Sequence, residues 1–486
     1  MIHHVEQLLV AFNAVMLCYL VVISLVYTGL MIIGWRAIND YVRRRPLRDY
    51  GFVGRSSMTL PVSILAPAYN EAPVITAALR ALLESQFGQF EIVVVNDGST
   101  DETLAVLKRE FDLVEVDRVP SAAIATKTIR GVFLSRSDPR LVVVDKENGG
   151  KADSLNAGIR YARYPLFCAI DADTILDPGA LSRLVWEFQS YPETVAVGGI
   201  VRVLNGSTVR DGRLVEIRTP RSFVENVQVL EYLRAFLGGR IGWSRIGMLL
   251  IISGAFGLFR RDVVVAAGGY DTSTVGEDAE LVLRLHRYRR QRGEACRITF
   301  FPDPICWTEA PATLRVLTRQ RDRWQRGLIE MLWRHRAMFA NPRYGRVGLV
   351  AIPYYVVFEM IGPLIEFAGY MSLIVSIALG VISPVLTGLI LGLAVAYGLV
   401  LSFGAVLMEE RAFRRYPGGR DLRRLIMVAI LENFGYRQFM VFVRARAWYT
   451  ILRKRSGWGE MPRAGFGAPS VVPEEPPILD EQREAA

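Results

Sequence analysis

The hydrophobic pattern divides the chain into three kinds of segment. Residues Gln7 to Trp35 carry no charged side chain, and the apolar core Leu8–Ile33 exceeds the roughly 20 residues a helix needs to cross a bilayer. A second apolar block runs from Val347 to Met408, with Glu359 and Glu366 its only charges, and suits two helices with a turn near Ser383-Pro384. Between these blocks, short β-branched runs alternate with helical patterns. Strands are predicted at Val62–Tyr69, Glu91–Asp97, Leu141–Asp145, Leu166–Asp171 and Val195–Val203, with helices at Ala72–Ser85, Thr103–Glu110 and Ala152–Ala162. That alternation implies an α/β domain with a mostly parallel sheet and helices on both faces. Leu425–Tyr449 is apolar but contains Glu432, Arg437, Arg444 and Arg446, which reads as an interfacial or re-entrant helix.

Charge sets the orientation. Lysine and arginine total 58 against 48 acids, a net charge of +10. Arg36, Arg43, Arg44, Arg45 and Arg48 follow the first apolar run, and Arg411, Arg414, Arg415 and Arg420 follow the second block. Both flanks are therefore expected in the cytosol, with three crossings in all. A signal peptide is disfavoured, because the run is too long and its basic residues follow it. No zinc finger or RNA-recognition strand accompanies the positive charge, so no nucleic-acid partner is expected. The four cysteines, Cys18, Cys168, Cys296 and Cys306, form no CxxC and suggest neither a disulfide framework nor a zinc site.

Candidate chemistry gathers where the predicted strands end, which is where open α/β sheets bind ligands. Asp171-Ala172-Asp173 can point two carboxylates at one hard cation, Mg2+ or Mn2+, shared with phosphate oxygens. The alternative is a plain turn in which Asp177-Pro178 caps the next helix. Asn96-Asp97-Gly98-Ser99 supplies a tight turn, with Asp97 placed to accept hydrogen bonds from a base or ribose. Gly149-Gly150-Lys151 at a helix start can present backbone N–H groups to an anion, without the P-loop spacing. Gly276-Glu277-Asp278 opens a helix; its acids are either dipole-favoured caps or a catalytic pair with Asp278 the general base. Gln320-Arg321-Asp322-Arg323-Trp324 offers guanidiniums for a diphosphate and a flat face for a sugar, or simply a basic face resting on lipid.

The set Pro67-Ala68-Tyr69-Asn70-Glu71, Asp97-Gly98-Ser99, Asp171-x-Asp173, Glu277-Asp278 and Gln320-x-x-Arg323-Trp324 resembles the processive family 2 glycosyltransferases, which include cellulose, chitin, hyaluronan and poly-N-acetylglucosamine synthases. The resemblance spans roughly Pro61 to Gly327. It implies a GT-A-type nucleotide-sugar domain and inverting transfer from a UDP-sugar to a growing β-linked, membrane-associated polysaccharide, coupled to export. Tyr69, Glu71 and Asp97 would hold the uridine, with Lys151 near the nucleotide. Asp173, helped by Asp171, would hold the metal. Glu277 and Asp278 would be the catalytic pair. Gln320, Arg323 and Trp324 would bind the diphosphate and the acceptor end, and Ser253–Arg260, with Gly254, would line the acceptor site.

Two departures stand out. Gly276 replaces the family's usual threonine, and Glu460 alters the gating-loop likeness at Trp458-Gly459. Glu359 and Glu366, seven apart, would share a helix face and either line a glycan path or pair with arginines.

The expected organisation is a membrane helix at 1–36, a cytosolic GT-A domain at 37–340, two membrane helices at 347–408, an interfacial segment with a possible gating loop at 409–465, and a disordered Pro/Glu-rich tail at 466–486. The location would be the inner membrane. A second copy or an accessory export subunit would complete a channel. The rival readings are a non-processive transferase acting on a lipid or lipid-linked acceptor, and a non-catalytic nucleotide-binding or export module.

Overall fold

The computed structural model describes residues 2–171, 174–210, 212–416 and 418–453. Asp173, the Trp458 loop and the acidic tail lie outside the described residues.

Among the described residues twelve strands form: β1 (Val62–Ala68), β2 (Phe90–Asp97), β3 (Leu113–Glu115), β4 (Ile129–Ser135), β5 (Leu141–Lys146), β6 (Leu166–Ile170), β7 (Ile175–Leu176), β8 (Thr194–Val203), β9 (Thr208–Arg210), β10 (Arg213–Glu216), β11 (Phe256–Arg260) and β12 (Arg297–Thr308). Ten of them make one sheet in the order β3-β4-β5-β2-β1-β6-β11-β8-β12-β7. Its centre, β5-β2-β1-β6, is parallel. Every residue of β2 is buried, as a strand covered on both faces requires. The shared direction sends the carboxyl ends of β1, β2, β5 and β6 to one edge, and the candidate residues follow them there.

The structure adds strands that periodicity did not reveal. β11 inserts antiparallel between β6 and β8. β12 contains Pro302 and Pro304, which argue against a strand, and the ladder accommodates them by shifting register between Phe301 and Cys306.

The first helix, Ile2–Arg44, carries its flanking arginines as helix rather than ending before them. Among the described residues, two helices are long and apolar enough to cross a membrane, Glu6–Leu47 and Thr387–Ala412. Two further pairs qualify only as bent units: Val347–Met360 with Gly362–Ala378, at 42°, and Gly419–Leu431 with Tyr436–Leu452, at 64°. The first bend separates Glu359 from Glu366, so the two acids do not share a continuous helix face. Pro363 explains it, because its ring cannot continue the preceding helix. Three charged residues in this second pair find partners inside the protein. Glu432, fully buried, pairs with Arg234 and, at 2.8 Å, with Arg437. Arg444 pairs with Glu359 at 3.0 Å.

Candidate active site

The loops after β1 and β2 are stitched to each other. Asn70 adopts a left-handed backbone (φ 56°), and its side-chain oxygen accepts from the Thr100 N–H at 2.8 Å. The Asn70 N–H donates to Ser99 Oγ at 3.0 Å, and the Glu71 N–H to Thr103 Oγ1 at 2.9 Å. Asp101 completes the clasp by accepting from the Ala72 N–H at 3.2 Å. Glu71 is half-buried in this clasp, whereas the Tyr69 ring is 49% exposed, available to a planar base.

Asp97 is buried at the end of β2. Its Oδ1 accepts from the Gly149 N–H at 2.9 Å and its Oδ2 from the Gly150 N–H at 2.8 Å. The glycine amides expected to receive a ligand anion thus hold the protein's own carboxylate. The reason is geometric: β2 and β5 run side by side, and the turn after β5 folds its amides back over the end of β2. Lys146 adds an ammonium to Asp97 and reaches Asp153 at 2.7 Å. Asp145, another strand-end acid, accepts from Asn96 Nδ2 at 2.7 Å and is likewise structural.

Lys151, the first residue of the helix Lys151–Tyr161, reaches the other way. Its ammonium contacts the Asp171 carboxylate at the end of β6 and donates to the Gly254 carbonyl at 3.0 Å. Burial works against this charge, but Asp171, Glu277 and Asp278 outweigh it and hold the ammonium above the usual lysine range. Gly254 leaves room here. A Cβ on it would lie 3.0 Å from Asp278 Oδ2 and 3.4 Å from Lys151 Nζ, in the space where acid and base approach. Lys151, Ser253, Gly254, Tyr270, Glu277 and Asp278 share one small cavity.

Glu277 and Asp278 open the helix Glu277–Gln291, where the dipole favours acids. Asp278 is half-buried, and its Oδ1 accepts from the adjacent Ala279 N–H at 2.8 Å. Glu277 is buried, and burial together with the neighbouring Asp278 pushes its carboxyl up to about 7, against the opposing pull of Lys151 and Arg323. Glu280 is structural, held by Arg284 and by His335, each at 3.0 Å.

Gly276 and Gly327 bring the last group in. A Cβ on either would sit 3.0 Å from the other's Cα, so the helix Leu314–Arg334 crosses the start of Glu277–Gln291 backbone to backbone. The threonine usual at position 276 would not fit against this neighbour. The crossing carries Arg323 to within electrostatic reach of Glu277. Gln320 and Trp324 differ from expectation. Gln320 is buried and its side-chain oxygen accepts from Arg321 Nη1 at 3.2 Å. Trp324 is 47% exposed, but the Arg321 guanidinium lies 4.2 Å over its ring, leaving only one face open. The same guanidinium is paired with the Glu231 carboxylate, so the cation–π contact adds to a charge that already has its counter-ion.

Sequence reasoning assigned no role to Asn156 and Tyr270. Asn156 bonds the Tyr270 backbone twice, its Nδ2 donating to the carbonyl at 2.9 Å and its Oδ1 accepting from the N–H at 2.6 Å. It pins the loop that leads into Gly276-Glu277. No local signal marks Asn156, since the helix also buries Asp153 and Ser154.

The donor set suits a hard cation. Among the described residues no group of three or more His, Cys, Asp or Glu could hold a metal by protein ligands alone. Asp171 presents carboxylate oxygens beside Lys151 at the strand end, the donor type that Mg2+ or Mn2+ would take together with phosphate oxygens.

Two family models match this chain: Glycosyl transferase family 2 over residues 63–264, and Glycosyl transferase family group 2 over residues 166–401. Together these matches to glycosyltransferase family 2 models run from residue 63 to residue 401. All the strand-end residues just described fall within those spans. The poly-beta-1,6-N-acetyl-D-glucosamine synthase of Staphylococcus aureus (strain COL) is 31% identical over 305 residues, covering 62% of this chain and 61% of the relative. The synthase of the same name from Staphylococcus epidermidis is 28% identical over 273 residues, 56% of each chain. The chain thus spans about three-fifths of the length of the curated relatives it matches. Among solved structures, a mannosyltransferase from Pyrobaculum calidifontis, in complex with GDP-Man and Mn2+, superposes with a TM-score of 0.51 at 18% identity, covering 89% of this chain and 99% of that one. The GT-A-type fold is shared.

Proposed function

We propose that this chain is a family 2 glycosyltransferase that moves a sugar from a UDP-sugar onto the end of a growing β-linked polysaccharide at the cytosolic face of the inner membrane. N-acetylglucosamine is the first sugar to test, since the curated relatives are poly-N-acetylglucosamine synthases. One observation carries the reading: Asp278, Lys151 and Gly254 meet at a single cavity whose lysine also reaches Asp171.

In this scheme Tyr69 and the Asn70–Asp101 clasp seat the base. A divalent cation held by Asp171 and Asp173 would neutralise charge on the diphosphate. Lys151 and Arg323 orient the same diphosphate from the protein side and stabilise the charge that grows as it leaves. Asp278 accepts the proton of the acceptor hydroxyl. The acceptor oxygen forms its bond to the anomeric carbon as the bond to the diphosphate breaks, and UDP departs with the electron pair. Displacement from one side inverts that carbon, so an α-linked donor yields a β-linkage. Trp324 offers its open face to the acceptor sugar. The apolar helices on both sides of the domain support a multi-pass enzyme, with a second copy or an export subunit completing a path for the glycan.

The test is UDP release by the purified full chain with UDP-N-acetylglucosamine, other UDP-sugars and GDP-mannose, with Mg2+ or Mn2+, followed by product sizing and NMR. UDP release with a β-linked polymer is expected, and Asp278→Asn should abolish it. Turnover of GDP-mannose alone would overturn the donor, an α-linked product the displacement, a single added sugar the polymer, and full activity of D278N the base.

A further inference from the structure

The helix Leu314–Arg334 and the final helix Tyr436–Leu452 are fastened to each other by side chains. Thr450 Oγ1 donates to Asp322 Oδ1 at 3.3 Å, and Arg444 Nε donates to Gln325 Oε1 at 2.9 Å. Between the same two helices lies an open cleft of about 370 Å3. Leu314, Arg315, Thr318 and Arg319 line it from one helix, and Phe439 and Arg446 from the other. It shares no residue with the cavity at Lys151 and Asp278.

The charges of this cleft differ from those around it. Neighbouring arginines on the two helices have carboxylate partners: Arg321 has Glu231, Arg326 has Asp322, Arg437 has Glu432 and Arg444 has Glu359. Arg315, Arg319 and Arg446 are exposed, and among the described residues none of the three has a carboxylate partner. Arg315 and Arg319 stand one turn apart on one helix face, where like charges repel. An anion in the cleft would relieve that repulsion.

Apolar surface continues from the charges. Phe442 and Phe439, both exposed, stand four and seven residues before Arg446, on the same face of the final helix. That helix qualifies as membrane-crossing together with Gly419–Leu431. Its Arg444 reaches Glu359, which accepts from Tyr27 in the half of the first helix nearer the basic pair Arg43-Arg44. The cleft thus has guanidiniums at one end, apolar rings at the other, and walls tied to a membrane helix.

We propose that this cleft binds the headgroup of an anionic phospholipid, with Arg315, Arg319 and Arg446 on the phosphate and the acyl chains along Phe439 and Phe442. Guanidiniums take phosphate oxygens in pairs, and basic pockets beside membrane helices recognise anionic headgroups. A free phosphate would satisfy the arginines but leave the rings uncovered, which favours the lipid. This binding does not depend on the function proposed above.

The test titrates the full chain in neutral detergent with phosphatidylglycerol, or with phosphatidylcholine of the same acyl chains, and counts bound lipid by native mass spectrometry. Each arginine beside an anionic headgroup contributes about fivefold in affinity. Arg315→Gln, Arg319→Gln and Arg446→Gln together should therefore weaken phosphatidylglycerol binding by about 100-fold. Arg446→Gln alone should weaken it about fivefold, and decides the matter if the triple variant fails to fold. Arg221→Gln, Arg343→Gln and Arg420→Gln together remove the same charge from exposed positions outside the cleft, and should change binding by about twofold or less. Unchanged binding in the cleft variants, or equal losses in the two triple variants, would overturn the site. Phosphatidylcholine bound as tightly as phosphatidylglycerol would overturn the headgroup. Glycerol phosphate displacing the lipid at equal concentration would overturn the lipid and assign the cleft to a soluble phosphate.

Discussion

The Lys151 ammonium bridges the Asp171 carboxylate and the Gly254 carbonyl, 3.0 Å away just before β11, with Asp278 and Glu277 beside it. One cation therefore faces three acids, Asp171 after β6 and the adjacent pair Glu277-Asp278 at a helix start. Replacing it with methionine keeps most of the side-chain volume and removes that charge. Lys151→Met is expected to lower UDP release by roughly 10²-fold or more, the usual cost of deleting one electrostatic stabiliser of a leaving group. Steady-state kinetics with saturating donor would check it. Activity within a few-fold of wild type would show that Lys151 serves the fold and not the diphosphate.

Gly276 and Gly327 make a second contact on which the site depends. Alanine at position 327 sits inside a helix, where propensity alone would stabilise by about 1 kcal/mol. Its methyl, however, would meet the Gly276 Cα at 3.0 Å and the Gly276 N at 3.2 Å, backbone atoms that cannot rotate away. Overpacking of this kind costs about 1–3 kcal/mol, so the clash should prevail. Gly327→Ala should lower the Tm and impair turnover together, because the same shift moves Arg323 away from Glu277. A Tm above wild type would show that the crossing is looser than the structure has it.

Much of the site was legible because its residues stand where predicted strands end. Asp97 closes β2, Asp171 follows β6 directly, and both are marked by a change from β-branched to acidic residues. Lys151 was legible for the same reason at a helix start. Partnership was not legible. Nothing local says that the Gly149 and Gly150 amides will meet Asp97, or that Arg321 will lie on Trp324, since each pairing needs the register of β2 against β5 or the facing of two side chains one helical turn apart. β12 stayed hidden because Pro302 and Pro304 speak against a strand locally, whereas long pairing with β8 overrides them. The bend at Pro363 overturned a spacing argument that assumed an unbroken helix.

Glu277 gives a pH signature. Its ordinary carboxyl value is 4.5 and its folded value about 7, raised chiefly by burial and by Asp278. The folded state therefore binds a proton more tightly than the unfolded chain. Its contribution to stability is fullest at pH 4.5 and below, is lost as pH rises toward 7, and changes no further above it. Glu277→Gln removes this dependence. Thermal melts should show the variant gaining on wild type as pH is raised from 5 to 8. A difference between the two proteins that stays flat across that range would place the Glu277 carboxyl in a more polar setting than the cavity beside Tyr270.

The Glu359–Arg444 pair separates two effects that single substitutions confuse. Arg444 Nη2 contacts Glu359 Oε2 at 3.0 Å, Tyr27 donates to Glu359 Oε1 at 3.0 Å, and Arg444 Nε donates to Gln325 Oε1 at 2.9 Å. The pair thus joins the first helix, the bent helix before Pro363, the final helix and the helix carrying Arg323. If these groups lined a glycan path, neutralising Glu359 would disturb transfer of polymer while sparing the fold. If they hold the helices together, Glu359→Gln leaves Arg444 without its counter-ion in an apolar setting, at about 3–5 kcal/mol, whereas Glu359→Gln with Arg444→Met removes both charges and should be far milder. The second outcome is expected, because both side chains are spent on partners within the protein. Detergent-solubilised melting curves for the two single variants and the double variant measure the coupling directly. Additive losses across the three would mean that the pair contributes no mutual stabilisation.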